Sequence, residues 1–212
     1  MPAKRILVLG ATGGTGREVV DQALEQGHAV TALARHPERM QRSHERLRFV
    51  AGDVTQPGGA LSEAVRGQDA VISALGRGRS FKAEGLIERA VPAILSAMQA
   101  HQVRRLIFTS AIGVGGTIRD TPLLSRLFIR LFLKDIYADK LAGESAIRRS
   151  TIDWTIVQPA LLNDGPLTGT YRFGDRLAMS GMPKISRADT AHFILRQLDD
   201  RAYIGKVVIV AY

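Results

Sequence analysis

Residues 10–16 read Gly10-Ala-Thr-Gly-Gly-Thr-Gly16, with the apolar run Arg5-Ile-Leu-Val-Leu9 directly before them and a helix-forming stretch directly after. A buried strand that turns at once into a helix needs backbone without Cβ at defined places. Gly10 allows the tight turn, Gly13 lets backbone amides approach a bound group, and Gly16 lets the helix pack close to the strand. The helix N-terminus then offers oriented amides and a partial positive charge, which suit a phosphate. Thr12 and Thr15 add hydroxyl donors. A glycine cluster alone is also what a flexible turn looks like, but the strand and helix on either side make this the pattern of a dinucleotide site. A Walker-type phosphate loop is excluded, because no Lys-Ser or Lys-Thr pair follows the glycines.

The same strand-then-helix order continues along the chain. Strands are predicted at residues 5–9, 29–34, 47–50, 70–75, 105–109, 154–157 and 207–210, and helices at 14–26, 60–66, 84–101, 138–149 and 187–198. This alternation specifies an α/β, doubly wound, mostly parallel Rossmann sheet with helices on both faces. The 212 residues suit a single domain, 1–212, with a small substrate or lid region at 113–135 and 161–183. Within 84–101, Ile87, Val91, Ile94, Leu95 and Met98 mark one apolar face, and Pro92 is expected to kink that helix or limit its first half. The irregular stretches 77–83, 113–121 and 161–183 include loops after strand carboxyl ends, where ligands bind in this architecture.

The end of the second strand bears on the cofactor. A fold selective for NAD places Asp or Glu there to hold the ribose hydroxyls, whereas this chain has Arg35, nineteen residues after Gly16, followed by His36 and Arg39. A guanidinium there pairs with a 2′-phosphate, so NADP(H) is expected over NAD(H); the alternative is a surface arginine with no ligand. Asp53 and Val54 follow the third strand, where the carboxylate either accepts from an adenine amino group or caps the next helix.

Composition narrows the remaining classes. There are no cysteines, which removes disulfides, thiolate metal sites and a cysteine nucleophile and fits a reducing cytoplasm. His28, His36, His44, His101 and His192 lack metal-ligand spacing, so no metal is expected. The net charge of +9 is spread over scattered arginines, Arg77, Arg79, Arg148 and Arg149 among them, without a basic run, and is read as solvated surface plus a polyphosphate ligand rather than a nucleic-acid site. The N-terminal apolar run is too short for a signal peptide, and no stretch approaches the ~20 apolar residues of a membrane span. Segment 122–134 is amphipathic and basic: a lid over an acceptor pocket, an oligomer face (monomer or homodimer both fit), a membrane-surface helix or plain packing. A lid is preferred, because the segment follows the fifth strand.

With these elements placed, the chain resembles the atypical short-chain dehydrogenase/reductases, and within them the NmrA-like group containing biliverdin-IXβ/flavin reductase. The resemblance rests on the glycine turn, Arg35, Gly52-Asp53-Val54, Ser73-Ala-Leu-Gly76, Phe108-Thr-Ser-Ala111, Gln158-Pro159 and Gly165-Pro-Leu-Thr-Gly-Thr-Tyr171. It implies that Thr12, Gly13, Gly14 and Thr15 hold the pyrophosphate and that Arg35 holds the 2′-phosphate. Asp53 and Val54 would meet the adenine, and Ala74, Leu75 and Gly76 the ribose side. Thr109, Ser110, Lys140, Pro159, Ala160 and Leu161 would surround the nicotinamide, whose open face would meet a small planar acceptor such as a flavin, a quinone or a tetrapyrrole. Biliverdin-reducing relatives carry a histidine where this chain has Leu161, and leucine donates no proton; a reduced flavin can take its proton from solvent.

Standard short-chain reductases use Tyr-x-x-x-Lys, the lysine lowering the tyrosine pKa. This chain has Tyr137-Ala-Asp-Lys140, one residue shorter but still on one helical face. Tyr137 is either a general acid or a packed helix-start residue. Lys140 is a candidate partner of the nicotinamide ribose, and Ser110 either a catalytic hydroxyl or a turn serine. Two functions follow: an NADPH-dependent reductase of planar acceptors, or a non-catalytic NmrA-like NADP(H) sensor that regulates a partner. A sugar-nucleotide epimerase is disfavoured, because the predicted elements leave little chain for a substrate domain.

Overall fold

In β1 (Arg5–Leu9) every residue after Arg5 is buried, because both faces of the strand are covered. Ile6 and Val8 join one apolar cluster, while Leu7 and Leu9 join another on the opposite face. This is a computed structural model, describing residues 2–40, 42–56, 58–76, 84–121, 123–179 and 181–212. The stretch 77–83, with Arg77 and Arg79, and Pro122 lie outside the described residues, as do the side chains of Arg39, Leu123, Leu124, Ser125, Phe128 and Phe132.

From the glycine turn the chain enters α1 (Gly14–Glu25), after which Gly27 takes a φ of +86°. There follow β2 (Ala29–Ala34), β3 (Leu47–Ala51), α2 (Gly59–Val65), β4 (Ala70–Ser73), α3 (Leu86–Ala100) and β5 (Arg105–Thr109). Next come α4 (Leu123–Phe132), α5 (Lys134–Arg149), β6 (Asp153–Pro159), β7 (Leu161–Asn163), β8 (Arg172–Gly174), β9 (Lys184–Ser186), α6 (Arg187–Arg196) and β10 (Lys206–Ala211).

Eight strands form one sheet in the order β3-β2-β1-β4-β5-β6-β10-β8, parallel except for β8, which runs against β10. β7 and β9 make a small parallel pair of their own. Helices α1 and α6 cover one face, and α2, α3 and α5 the other. The strand order reverses between β1 and β4, so the crevice at their carboxyl ends is the switch point where such sheets bind ligands. This is the expected doubly wound Rossmann fold.

Three expectations change. Pro92 does not limit its helix: α3 runs on across it, with the proline at the surface and Val91, Ala93 and Ile94 buried. Packing of the apolar face outweighs the one amide hydrogen bond that proline removes. The helix expected at 138–149 begins at Lys134, so Tyr137 lies within α5 instead of at its start. The fourth strand ends at Ser73, and the Ala74 carbonyl then lies close against Gly10. Strands β7, β8 and β9, of three residues each, were not expected; such short runs become strands through the partners they meet, not through a period of their own.

Candidate functional site

The glycine turn is shaped by backbone contacts. Gly10 has a φ of +81°, and a Cβ on it would come within 2.6 Å of the Ala74 carbonyl oxygen. A Cβ on Gly16 would lie 2.1 Å from the Gly10 oxygen, so helix and turn touch as closely as main chains can. The Gly13 amide donates to the Gly10 carbonyl at 3.0 Å. Gly13 is the N-cap of α1, which has no side-chain cap and no acidic residue in its first turn. The first amides of α1 therefore retain donors and positive potential for an anion. Thr12, Gly13 and Gly14 are exposed, while Thr15 is buried beneath them.

Arg35 projects exposed from the end of β2. Asp53, after β3, accepts from the Thr55 amide at 2.9 Å and the Thr55 hydroxyl at 2.8 Å. These two bonds hold its carboxyl below the usual carboxylate range, with smaller help from Arg35. The cap of α2 is Gly58, so Asp53 closes a local turn and does not cap that helix. Val54 and Leu75 pack on the edge of the nearby apolar cluster, Ala74 is half-buried and Gly76 is exposed.

Next to the switch point lies a cavity of about 740 Å³, lined by six predicted site residues: Ser110, Tyr137, Lys140, Pro159, Ala160 and Leu161. Ser110 is set by two strands, its amide donating to Val157 at 2.7 Å as β5 ends beside β6. The hydroxyls of Ser110, Thr109 and Ser73 are buried and find no hydrogen-bond partner among the described residues. Three orphaned hydroxyls at the ends of neighbouring strands fit a polar ligand in the crevice. The far wall is apolar: Leu127, Ile129 and Leu131 of α4 line it, together with Leu162 and Met182. Leu127, Leu131, Leu161 and Met182 are each more than half exposed, an apolar rim around the opening.

The Tyr137-Ala-Asp-Lys140 segment divides its work. The Tyr137 hydroxyl donates to the Ile112 carbonyl at 2.9 Å, and burial pushes its pKa up to about 12. That is the reverse of a tyrosine activated by lysine. Asp139 is buried and accepts from the Ile87 and Glu88 amides at 3.0 and 2.8 Å, capping α3 from α5. Lys140 faces the cavity; burial lowers its pKa to about 8, against the pull of Glu144 and Asp139. Glu144, fully buried one turn on, accepts from the Gln158 amide at 2.7 Å and pairs with Arg148 at 3.2 Å. Sequence reasoning missed Glu144, although its place four residues after Lys140 was a readable signal.

The segment Gly165 to Tyr171 does not line the cavity; it is an anchor. Buried Asp189 accepts from the Thr168 and Gly169 amides at 2.9 and 2.8 Å, the Thr168 hydroxyl at 2.8 Å and the Tyr212 hydroxyl at 2.7 Å. Burial raises the Asp189 pKa, but these bonds together bring it below the usual range. A second missed residue, Arg187, lines the cavity at the first position of α6. Among the described residues no group of three or more His, Asp or Glu could hold a metal ion, and no helix is long and apolar enough to cross a membrane.

Residues 10–201 match a family described as NAD(P)H-binding. An uncharacterised chloroplastic protein of Arabidopsis thaliana is 34% identical over 178 residues, covering 78% of this chain and 62% of that protein. The photosystem II assembly factor Ycf39 of Synechocystis is 30% identical over 173 residues, covering 79% of this chain and 47% of that one. A (4-alkanoyl-5-oxo-2,5-dihydrofuran-3-yl)methyl phosphate reductase of Streptomyces griseus is 31% identical over 154 residues, covering 73% of this chain and 46% of the enzyme. The chain thus spans less than two thirds of each of these three relatives. A solved short-chain dehydrogenase/reductase of Veillonella parvula, in complex with NADP, superposes with a TM-score of 0.85 at 18% identity, covering 100% of this chain and 95% of that one. A switch-point crevice behind a glycine turn and a family match across most of the chain agree: this protein belongs to the NAD(P)H-binding family and shares its doubly wound fold with the solved Veillonella structure.

Proposed function

We propose that the protein is an NADPH-dependent reductase of a small planar acceptor such as a flavin, a quinone or a tetrapyrrole-like molecule. The observation that carries this reading is the cavity of about 740 Å³, with Ser110 and Lys140 at its strand-end wall and aliphatic side chains opposite. Its walls suit a flat apolar ring system, and its volume is that of a cofactor-sized ligand site. When bound, the reduced nicotinamide supplies a hydride. Ser110 and Lys140 offer one neutral and one cationic donor to the nicotinamide end, and Pro159, Ala160 and Leu161 an apolar surface beside it. Of the segments 113–135 and 161–183, Thr121, α4, Leu161, Leu162 and Met182 form the acceptor region, with α4 as its lid. Tyr137 is held by the Ile112 carbonyl and braces the wall. Leu161 brings no proton, which favours an acceptor that solvent can protonate, a flavin before a tetrapyrrole.

Arg35 supports NADP(H) over NAD(H). It stands exposed at the end of β2 where a carboxylate would repel a 2′-phosphate, and nearby Asp53 is turned onto Thr55. The solved Veillonella structure in complex with NADP lends the same support. The test is steady-state NADPH oxidation with FMN, riboflavin and a quinone panel, repeated with NADH and with Arg35→Ala. Turnover on at least one acceptor, lost with NADH or weakened by the substitution, is the expected result. Unchanged NADPH affinity in Arg35→Ala at low salt removes the NADP assignment.

A second reading is favoured by the engaged Tyr137 and by Leu161: a non-catalytic NmrA-like protein that senses NADP(H) and regulates a partner. The similarity to an assembly factor points the same way. Tight NADPH binding without turnover on any acceptor selects it.

A further inference from the structure

Arg187 opens α6, yet its side chain lies across the glycine turn. A Cβ on Gly14 would sit 2.6 Å from Arg187 Cδ, 2.7 Å from Nε and 3.6 Å from Cζ. The stem is held there by the packing of α1 on α6, including the bond from Gln22 Nε2 to the Ala188 carbonyl at 2.9 Å. Its guanidinium pairs with Asp164 through Nη1 at 2.5 Å; the Arg187 side chain is 29% exposed and that of Asp164 90%. A cation thus stands beside Gly14 at the start of α1, where this fold receives a dinucleotide's diphosphate, and its present partner is a single solvated carboxylate.

We propose that Arg187 clamps the cofactor's diphosphate against Gly14 and the α1 N-terminus, exchanging Asp164 for the phosphate oxygens. The proposal rests on the dinucleotide reading of the glycine turn and adds a residue from the far end of the chain to it. An exposed ion pair contributes little, so leaving Asp164 is easy. The fork of a guanidinium matches two phosphate oxygens, and a helix N-terminus free of acids and side-chain caps offers nothing to compete with them. The small residue at position 14 has a reason in the same contact: any side chain there meets Arg187.

The test is calorimetry on the full-length protein with NADPH and with 2′,5′-ADP, which keeps the 2′-phosphate but has no diphosphate. Arg187→Ala is expected to weaken NADPH about 10-fold or more, the loss of a charge-assisted bond, and 2′,5′-ADP markedly less. Arg187→Lys is expected to fall between parent and alanine, because it keeps the charge without the fork. Asp164→Asn is expected to bind NADPH at least as tightly as the parent, since the competing carboxylate is gone. If Arg187→Ala does not fold, the lysine and Asp164→Asn variants decide alone. Unchanged NADPH affinity in Arg187→Ala, an equal loss for both ligands, or an Asp164→Asn protein as weak as Arg187→Ala overturns the clamp. So does a rise only in acceptor KM, which assigns Arg187 to the acceptor. A parent protein that binds no NADPH removes the dinucleotide reading itself, a result separate from all of these.

Discussion

Gly16→Ala tests the tightest contact in the molecule. The new methyl would lie 2.1 Å from the Gly10 oxygen, 2.7 Å from the Gly10 carbonyl carbon and 2.9 Å from Ala11 Cα. All three neighbours are main chain, so no side chain can swing aside. Ordinary carbon contacts need about 3.5 Å, so turn and helix must part by roughly 1 Å. Helix α1 cannot simply retreat, because Val19, Val20 and Ala23 are fully buried behind it and Gln22 is bonded to α6. Overpacking of this kind costs about 1–3 kcal/mol, and a domain of this size loses about 2–4 °C in Tm per kcal/mol. If one amide–phosphate bond is lost with the shift, about 1.5 kcal/mol, NADPH affinity falls about tenfold. Gly13→Ala is the control for the melting temperature alone: its methyl meets only the Gly10 oxygen, at 3.3 Å, which a few tenths of an ångström relieve. Thermal circular dichroism and an NADPH fluorescence titration on the same samples read both effects. A Gly16→Ala protein that melts with the parent and binds NADPH equally would refute the close-packed turn.

Three further outcomes are expected. Lys140→Met should be more stable than the parent at pH 7, with the gap closing as pH rises: the folded pKa of about 8 lies below the usual lysine value of 10.5, so the parent gains stability between them while the unfolded chain sheds less charge. Urea midpoints of both proteins across that window check it, and a constant gap contradicts a buried, charged lysine. Tyr137→Phe should lose about 0.5–1.5 kcal/mol from the missing bond to Ile112 while keeping acceptor turnover; an inactive but stable variant returns the tyrosine to the chemistry. Asp189→Ala strips the carboxylate from four hydrogen bonds and should cost on the order of 3 kcal/mol, read from denaturant midpoints. A near-neutral result means the 165–171 loop is held by something else.

The fold was legible because its signals are local. Buried parallel strands read as short apolar runs, Gly10 and Gly16 mark a turn that tolerates no Cβ, and Gly27 closes a helix. What could not be read were elements that exist only through partners. β7 and β9 pair across more than twenty residues, and α4 finds its place as the wall of a cavity that no periodicity announces. The glycine turn follows one continuous stretch and stood out at once. Glu144 on α5, and Arg187 and Asp189 on α6, take their roles from partners far away in the chain.

The sequence by itself determined the doubly wound sheet, the glycine turn at its switch point and the arginine at the end of β2, since each depends on residues near in the chain. Only the tertiary structure decided which nearby side chains are free to act. Tyr137 and Lys140 share a helix face, yet the first is tied to the Ile112 carbonyl and the second is left facing the cavity. Arg187 comes to lie on Gly14, 173 positions earlier, because α1 and α6 cover the same face of the sheet. Hydrogen-bond partners and burial are properties of what packs nearby, and that is fixed when the layers close.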